Sequence, residues 1–267
     1  MRCLFCKNPS DSSKSVEHIL PESLGNTTLV LPNGIVCDGC NNYFSRKIEA
    51  PFLNAPAVRA LRAWQSIPTK RGRLVGMPGV LMKDFPVTAY LRRHGMSSID
   101  TGTSDVFDKV VKRAKRGDPV SLLLATNTEP PNDHAISRFL AKVALEAMAL
   151  RCVGNNVALE SLVDDPQLAP VRDHARRGDP RVRWPYSARR IYDMDKGWTD
   201  LDGINQRIHE HYLLLTEHSE LYFVVAIFGL ELVLNVGGPE IDGYQQWLRE
   251  HNQASPLYFG ANAHPDY

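Results

Sequence analysis

Two Cys-x-x-Cys pairs, Cys3/Cys6 and Cys37/Cys40, fall within the first forty residues, and they limit the fold more than any other feature. Four thiolates at this spacing close a tetrahedral zinc site without help from the rest of the chain. A unit of about 50 residues buries too little apolar surface to be stable alone, so a structural metal is expected. Zinc binding would then also be folding free energy, on the order of 10 kcal/mol. Two disulfides are the weaker alternative, because no secretory leader precedes Cys3 and a fifth cysteine, Cys152, is left over. The 30 residues between the knuckles exceed what a plain zinc ribbon needs, so a further element is folded there.

That interval holds Glu17-His18-Ile19-Leu20-Pro21, and Asn41 follows directly on Cys40. An imidazole without perturbing neighbours titrates near neutrality, which suits His18 to take a proton from water. Glu17 and the side-chain oxygen of Asn41 are hard donors, matched to Mg²⁺ or Mn²⁺ and not to a second zinc. Neighbouring residues on a strand point to opposite faces, so chain direction alone does not bring Glu17 and His18 to one ion. A lone Glu-His pair would ordinarily be a surface ion pair; the zinc-knuckle frame shifts the reading toward catalysis.

In order and spacing, Cys3-x-x-Cys6, Glu17-His18-Ile19-x-Pro21-x-Ser23-Leu24-Gly25 and Gly34-Ile35-Val36-Cys37-x-x-Cys40-Asn41-Asn42-x-Phe44 resemble an HNH endonuclease domain. The closest likeness is to the branch whose motif opens with Glu-His. The resemblance covers about the first 50 of 267 residues. It implies a β-hairpin followed by a helix, wrapped around one catalytic divalent ion and stapled by zinc. It also implies that His18 addresses the phosphate while Glu17 reaches the ion, with Asn41 completing the ion site. Two positions depart from the commoner pattern. Where many members carry an asparagine that braces the histidine loop, this chain has Pro32, leaving Asn33 or Asn26 as substitutes. Where a basic residue is frequent there is Phe44, a core candidate, and Arg46 and Lys47 follow as phosphate contacts.

Hydrophobic content of 43% and charged content of 23% are those of an ordinary soluble protein. The longest apolar run, Leu221 to Leu230, is too short to span a bilayer, so no membrane association and a cytoplasmic location are expected. A net charge of +1 hides an uneven distribution. From Pro51 to Arg116 there are 13 Lys/Arg against 4 Asp/Glu, and from Leu201 onward 2 against 9. A basic block next to a nuclease motif is where a nucleic-acid backbone would be held. Lys70, Arg71, Arg73, Arg92 and Arg93 are its candidate contacts. A second stretch, Arg172 to Arg190, interleaves seven arginines with Trp184 and Tyr186; it could grip phosphates and bases or pair with the acidic C-terminal part.

The pattern predicts an α+β chain: a zinc-stapled HNH domain over 1–50, then a larger α+β domain over 51–267 with an antiparallel sheet. For the larger part a DNA grip, ligand sensing and homo-oligomerisation are the open roles. A helix is expected from Pro51 to about Gln65, and strands at Leu74–Met82 and Val87–Leu91 with Pro78-Gly79 as a break. A helix capped by Ser104 and a buried strand at Val120–Ala125 follow. The clearest helix, Asp133–Arg151, places Ile136, Phe139, Leu140, Val143, Ala144 and Ala147 on one face. Its Arg138, Lys142 and Glu146 form a polar stripe that could face a ligand, though a solvated, ion-paired face is the expectation. Gly154–Ile204 should be looped with short helical pieces. Tyr212–Thr216, Leu221–Phe228 and Glu231–Val236 should form a meander, before a short helix at Gly243–Glu250. His209 and His211 are read as surface or packing residues, and Cys152 as a buried thiol. The sequence thus points to a metal-dependent DNA endonuclease with structural Zn²⁺ and catalytic Mg²⁺ or Mn²⁺, and the resemblance implies service in phage defence or mobile elements. A non-catalytic zinc module with a ligand- or protein-binding C-terminal part is the alternative.

Overall fold

The computed structural model describes residues 1–91, 97–124, 133–200 and 203–263. It is a mixed chain of helices and antiparallel sheets, the α+β class expected. The chain divides into two compact units: Met1–Phe52 with Asn132–Tyr267, and Leu53–Pro131. The cuts at Phe52 and Asn132 differ from the single division expected after residue 50. The first unit is built from both ends of the chain.

In the first unit, β1 (Glu17–His18) pairs with β2 (Val30–Leu31) in register Glu17↔Leu31 and His18↔Val30. Helix α1 (Asp38–Phe44) begins inside the second knuckle, capped by Cys37 and including Cys40, passes into a π-helical turn (Ser45–Glu49) and then into α2 (Ala50–Asn54). This is the hairpin-then-helix order implied by the resemblance. Phe44 is fully buried and meets Phe5 edge-on, ring centroids 4.4 Å apart.

The second unit contains α3 (Pro56–Trp64), β3 (Met77–Leu81), β4 (Phe85–Tyr90), β5 (Ser98–Asp100), α4 (Ser104–Lys115) and β6 (Leu122–Leu124). Its sheet has the order β5-β4-β3-β6. Pro78 and Gly79 lie inside β3, and the reversal falls instead at Met82 and Lys83, both with positive φ. Thr103, not Ser104, occupies the position before the first turn of α4. The strand expected to be buried near Val120 is short, and Leu123 is exposed.

The chain then returns to the first unit with α5 (Asp133–Arg151), α6 (Asn156–Asp164) and α7 (Ala169–Arg176). Strand β7 (Tyr186–Arg190) and the hairpin β8 (Gly197–Asp200) and β9 (Gly203–Gln206) follow. The meander β10 (His209–Leu215), β11 (Leu221–Ile227) and β12 (Leu230–Asn235) then leads to α8 (Asp242–Glu250) and α9 (Tyr258–Ala261). The sheet order is β10-β11-β12-β7, so the expected meander is present with one added strand. Leu214, Tyr222, Val224, Ala226 and Val233 pack with Tyr244 and Leu248 of α8. The alternate residues Phe223, Val225, Leu232 and Leu234 are also buried, and α5 packs on β12. A strand covered on both faces reads as a continuous apolar run, which explains Leu221–Ile227.

Helix α5 corrects the expectation of a single apolar face. It packs on α7, β12, β2 and the π-helical turn, so its polar stripe is enclosed. Lys142 and Glu146 are completely buried. Arg138 is also drawn inward, donating to the Tyr43 hydroxyl and to the carbonyls of His174, Ala175 and Arg176. The N-terminal segment is fastened to this body. Arg2 forms paired bonds to Glu160 and Asp164 on α6, and the buried Arg172 donates to the carbonyls of Leu4 and Leu162. Cys152 at the end of α5 is half-buried.

His174 of α7 lies between the Trp184 ring, 5.0 Å away, and the Ser137 hydroxyl, 2.9 Å from its Nε2. Burial first, and the charges of His134 and Arg138 after it, lower its pKa from 6.5 to about 4. The unfolded imidazole therefore binds the proton more readily, and its contribution to stability is full above pH 6.5 and lost as pH falls toward 4. The melting temperature should drop from pH 7 to pH 4.5, and less steeply in His174→Phe, which keeps a ring against Trp184. Equal slopes in calorimetry would place the acid sensitivity elsewhere.

Candidate active site

The sulfurs of Cys3, Cys6, Cys37 and Cys40 all lie within 4.8 Å of one another. Cys6 and Cys37 are 3.6 Å apart, close to the roughly 3.8 Å edge of a tetrahedron with 2.3 Å Zn–S bonds. That is far beyond disulfide length. The backbone N–H groups of Cys37 and Cys40 point at Cys3 Sγ and Cys37 Sγ, a common brace for ligating thiolates. The hydrogen bond from Cys40 pulls the Cys3 thiol down to about 4, while that bond, with burial, pushes Cys40 up. Only a cation lets all four lose their protons together, so the donor set fits zinc. Cys152 is not part of this cluster.

The hairpin carrying Glu17 and His18 is short, and its connection is held from within. Asn26, fully buried, donates to the carbonyls of Leu20 and Leu29 and accepts from the N–H groups of Thr28 and Leu29. Asn33 is exposed. Between the two asparagines left open by the sequence, Asn26 is therefore the one that braces this loop. Gly25 ends the 3₁₀ turn Glu22–Leu24 at φ +85°, and a Cβ there would press on Ile208.

The two motif residues face different surroundings, as strand alternation requires. Glu17 is only 5% exposed, and its Oε1 lies 2.7 Å from Lys142 Nζ. Lys142 also meets Glu49 at 2.7 Å and Glu146 at 3.0 Å, and donates to the His18 carbonyl at 3.2 Å. Burial opposes the Lys142 charge, but the carboxylates of Glu146, Glu17 and Glu49 overcome it and hold its pKa well above the usual lysine value. Three acids share one ammonium, so burial pushes the carboxyls of Glu146 and Glu17 upward despite Lys142. Among the described residues Glu17 Oε2 has no hydrogen-bond partner. The His18 side chain is 22% exposed, with Nε2 3.7 Å from Glu22 Oε1.

Asn41 stands in the middle of α1, not at its start, and donates from Nδ2 to the Val16 carbonyl at 3.1 Å. This ties α1 to the residue before Glu17 and leaves the Asn41 side-chain oxygen for another partner. The buried carboxylate oxygen of Glu17 and the amide oxygen of Asn41 are each hard donors, the type a divalent ion such as Mg²⁺ takes.

Arg46 and Lys47 are exposed on the π-helical turn, with Arg46 Nε bonded to the Asn42 carbonyl. In the second unit Lys70, Arg71 and Arg73 are exposed around a turn closed by Thr69. Arg92 and Arg93 lie outside the described residues. The Arg172–Arg190 stretch is divided: Arg177, Arg181 and Arg183 are exposed, whereas Arg172 is buried and others are bonded within the fold. Arg189 pairs with the buried Glu231, Arg190 donates to the Phe228 carbonyl, and the buried Trp184 donates to the Asn235 carbonyl. Of that stretch, Arg176 and Arg177 line a cavity of about 360 Å³ beside Cys6, Cys37 and Cys40. Lys142 and Glu49 were not singled out as site residues by the sequence. A lysine within the apolar pattern of α5 was the available signal, but only the fold shows what it meets.

Residues 3–56 match the family model described as HNH endonuclease. The chain thus carries an N-terminal HNH domain with its cysteine cluster. Comparison with curated proteins and with solved structures gave no match. Among the described residues no helix is long and apolar enough to cross a membrane.

Elemental analysis of the purified protein should give one zinc per chain. Cys37→Ser/Cys40→Ser should lose it, and Cys152→Ser should keep it. Zinc retained by the double variant would remove these two residues from the ligand set.

Proposed function

We propose that this chain is a metal-dependent HNH endonuclease that hydrolyses DNA phosphodiester bonds, with His18 as general base. The observation that carries the reading is the match over 3–56 together with a partly exposed His18 beside a buried Glu17 and the α1 residue Asn41. His18 takes the proton from the attacking water, and its position outside the buried acid cluster leaves it room to meet substrate. Glu17 and Asn41 would hold Mg²⁺ or Mn²⁺, which when bound supplies charge stabilisation of the leaving 3′ oxygen. The products would carry 5′-phosphate and 3′-hydroxyl ends. Arg46 and Lys47, near α1, would contact the backbone, and Lys70, Arg71, Arg73, Arg92 and Arg93 would add sequence-independent grip. A cytoplasmic role in phage defence or in a mobile element, with self-association of the chain, belongs to the same reading.

One observation favours the rival, a non-catalytic zinc module: the Glu17 carboxylate is already engaged by Lys142. Activity separates the two. With plasmid DNA and Mg²⁺ or Mn²⁺, His18→Ala should cut on the order of 10²-fold more slowly or worse while still binding DNA. A wild-type protein that never cuts would support the rival, and near-normal cutting by His18→Ala would move the base elsewhere.

Reversing Lys70 and Arg71 to Glu should weaken binding to all sequences about equally. It should also flatten the dependence of log affinity on log salt, by roughly 0.9 per lost phosphate contact on duplex DNA. A lowered melting temperature with an unchanged salt slope would make these charges part of the fold instead.

A further inference from the structure

We propose that Lys142 is a positioning residue of the nuclease site, aligning the Glu17-His18 strand from a helix outside the HNH segment. This rests on the reading of His18 as the base. Strand β1 has two residues and two register pairs, too short a ladder to fix two side-chain directions by itself. The loop beyond it is held by Asn26, and the residue before it by Asn41. At the motif itself Lys142 reaches both residues, the Glu17 carboxylate through Oε1 and the His18 main chain through its carbonyl. Glu49, at the end of the π-helical turn, and Glu146, one turn along α5, hold the ammonium from the other side. The lysine thereby joins β1, the segment after α1 and α5 at a single atom.

Fold stability gives little reason for an ammonium at this place. It is completely buried, and apolar residues of similar volume often replace buried ion clusters at no loss of stability. The ion pair does something an apolar side chain cannot: it holds one Glu17 oxygen, Oε1, while the buried Oε2 has no hydrogen-bond partner among the described residues. It also fixes the peptide group from which the imidazole projects. Groups that orient a ligand or base in this way commonly change activity by roughly 10- to 100-fold when removed.

The test compares two proteins that differ only at position 142. Lys142→Met alone would leave three buried carboxylates without a counter-charge, so both proteins also carry Glu49→Gln and Glu146→Gln. The version retaining Lys142 should cut plasmid DNA near the wild-type rate. The version with Lys142→Met should fold, bind DNA in EDTA with unchanged affinity, and show a turnover number reduced roughly 10- to 100-fold at unchanged KM. In the zinc-loaded protein without added Mg²⁺ or Mn²⁺, the His18 ring resonances should shift or broaden in the Met version and stay in place in its partner. Wild-type turnover and unchanged His18 resonances in the Met version would overturn the proposal. So would its failure to fold beside a folded partner, which would assign Lys142 to stability. Faster cutting, or cutting at lower Mn²⁺, would make Lys142 a competitor for the ion at Glu17 and would likewise overturn it. Unimpaired cutting by His18→Ala would count against the base assignment whatever the Lys142 pair shows.

Discussion

The enclosure of the middle of α5, from Ile136 to Ala147, is the constraint from which most of the first unit follows. A surface helix needs one apolar stripe, whereas α5 has neighbours on several sides: α7, β12, β2 and the π-helical turn. Phe139 stacks on Phe52 at 3.9 Å on the side of the N-terminal segment, while the central sheet closes over another part of the helix. Polar groups on such a helix must find partners inside, because water cannot reach them. Arg138 does so through Tyr43 and the last carbonyls of α7, and Lys142 through three carboxylates and the His18 carbonyl. The knuckle segment is thus held to the body by polar bonds as much as by apolar contact.

Much of the N-terminal site could be read from residues alone, because its chemistry is local. Cysteine spacing depends on a few bonds of chain, so Cys3, Cys6, Cys37 and Cys40 converge as expected. The order of hairpin and helix was also legible, as was the burial of Phe44. The choice between Asn26 and Asn33 was not, since it depends on which side chain turns into the loop. The environment of Glu17 was least visible, because its partner stands 125 positions away on a helix whose periodicity suggested an exposed stripe. Periodicity reports the pattern of apolar residues, and a polar residue breaks it in the same way whether it meets solvent or a buried acid.

The C-terminal sheet shows the same asymmetry. Leu221–Ile227 and Leu230–Asn235 were visible as strands because both faces are apolar. Strand β7 was hidden, since Tyr186-Ser187-Ala188-Arg189-Arg190 lacks the alternation of a half-buried edge. Its arginines join the sheet by charge: Arg189 pairs with Glu231 on the neighbouring strand, where Tyr244 and Ser255 also donate to the same carboxylate. Of the arginine-rich stretch, Arg172, Arg189 and Arg190 are bonded within the fold, while Arg177, Arg181 and Arg183 stay exposed.

The first unit is assembled from two separated stretches, and this has a bearing on when the protein becomes whole during synthesis. The ribosome releases the cysteine knuckles and the Glu17-His18 hairpin first. Their anchors lie on Lys142, Glu160, Asp164 and Arg172, all beyond the intervening unit Leu53–Pro131. Zinc can gather the four cysteines early, but the buried charge cluster and the clasp of Arg2 on α6 wait until α5 and α6 have emerged. A nascent or truncated chain would therefore present the motif without the scaffold around it. That delay ties completion of the hairpin's surroundings to synthesis of the intervening unit and of the helices beyond it.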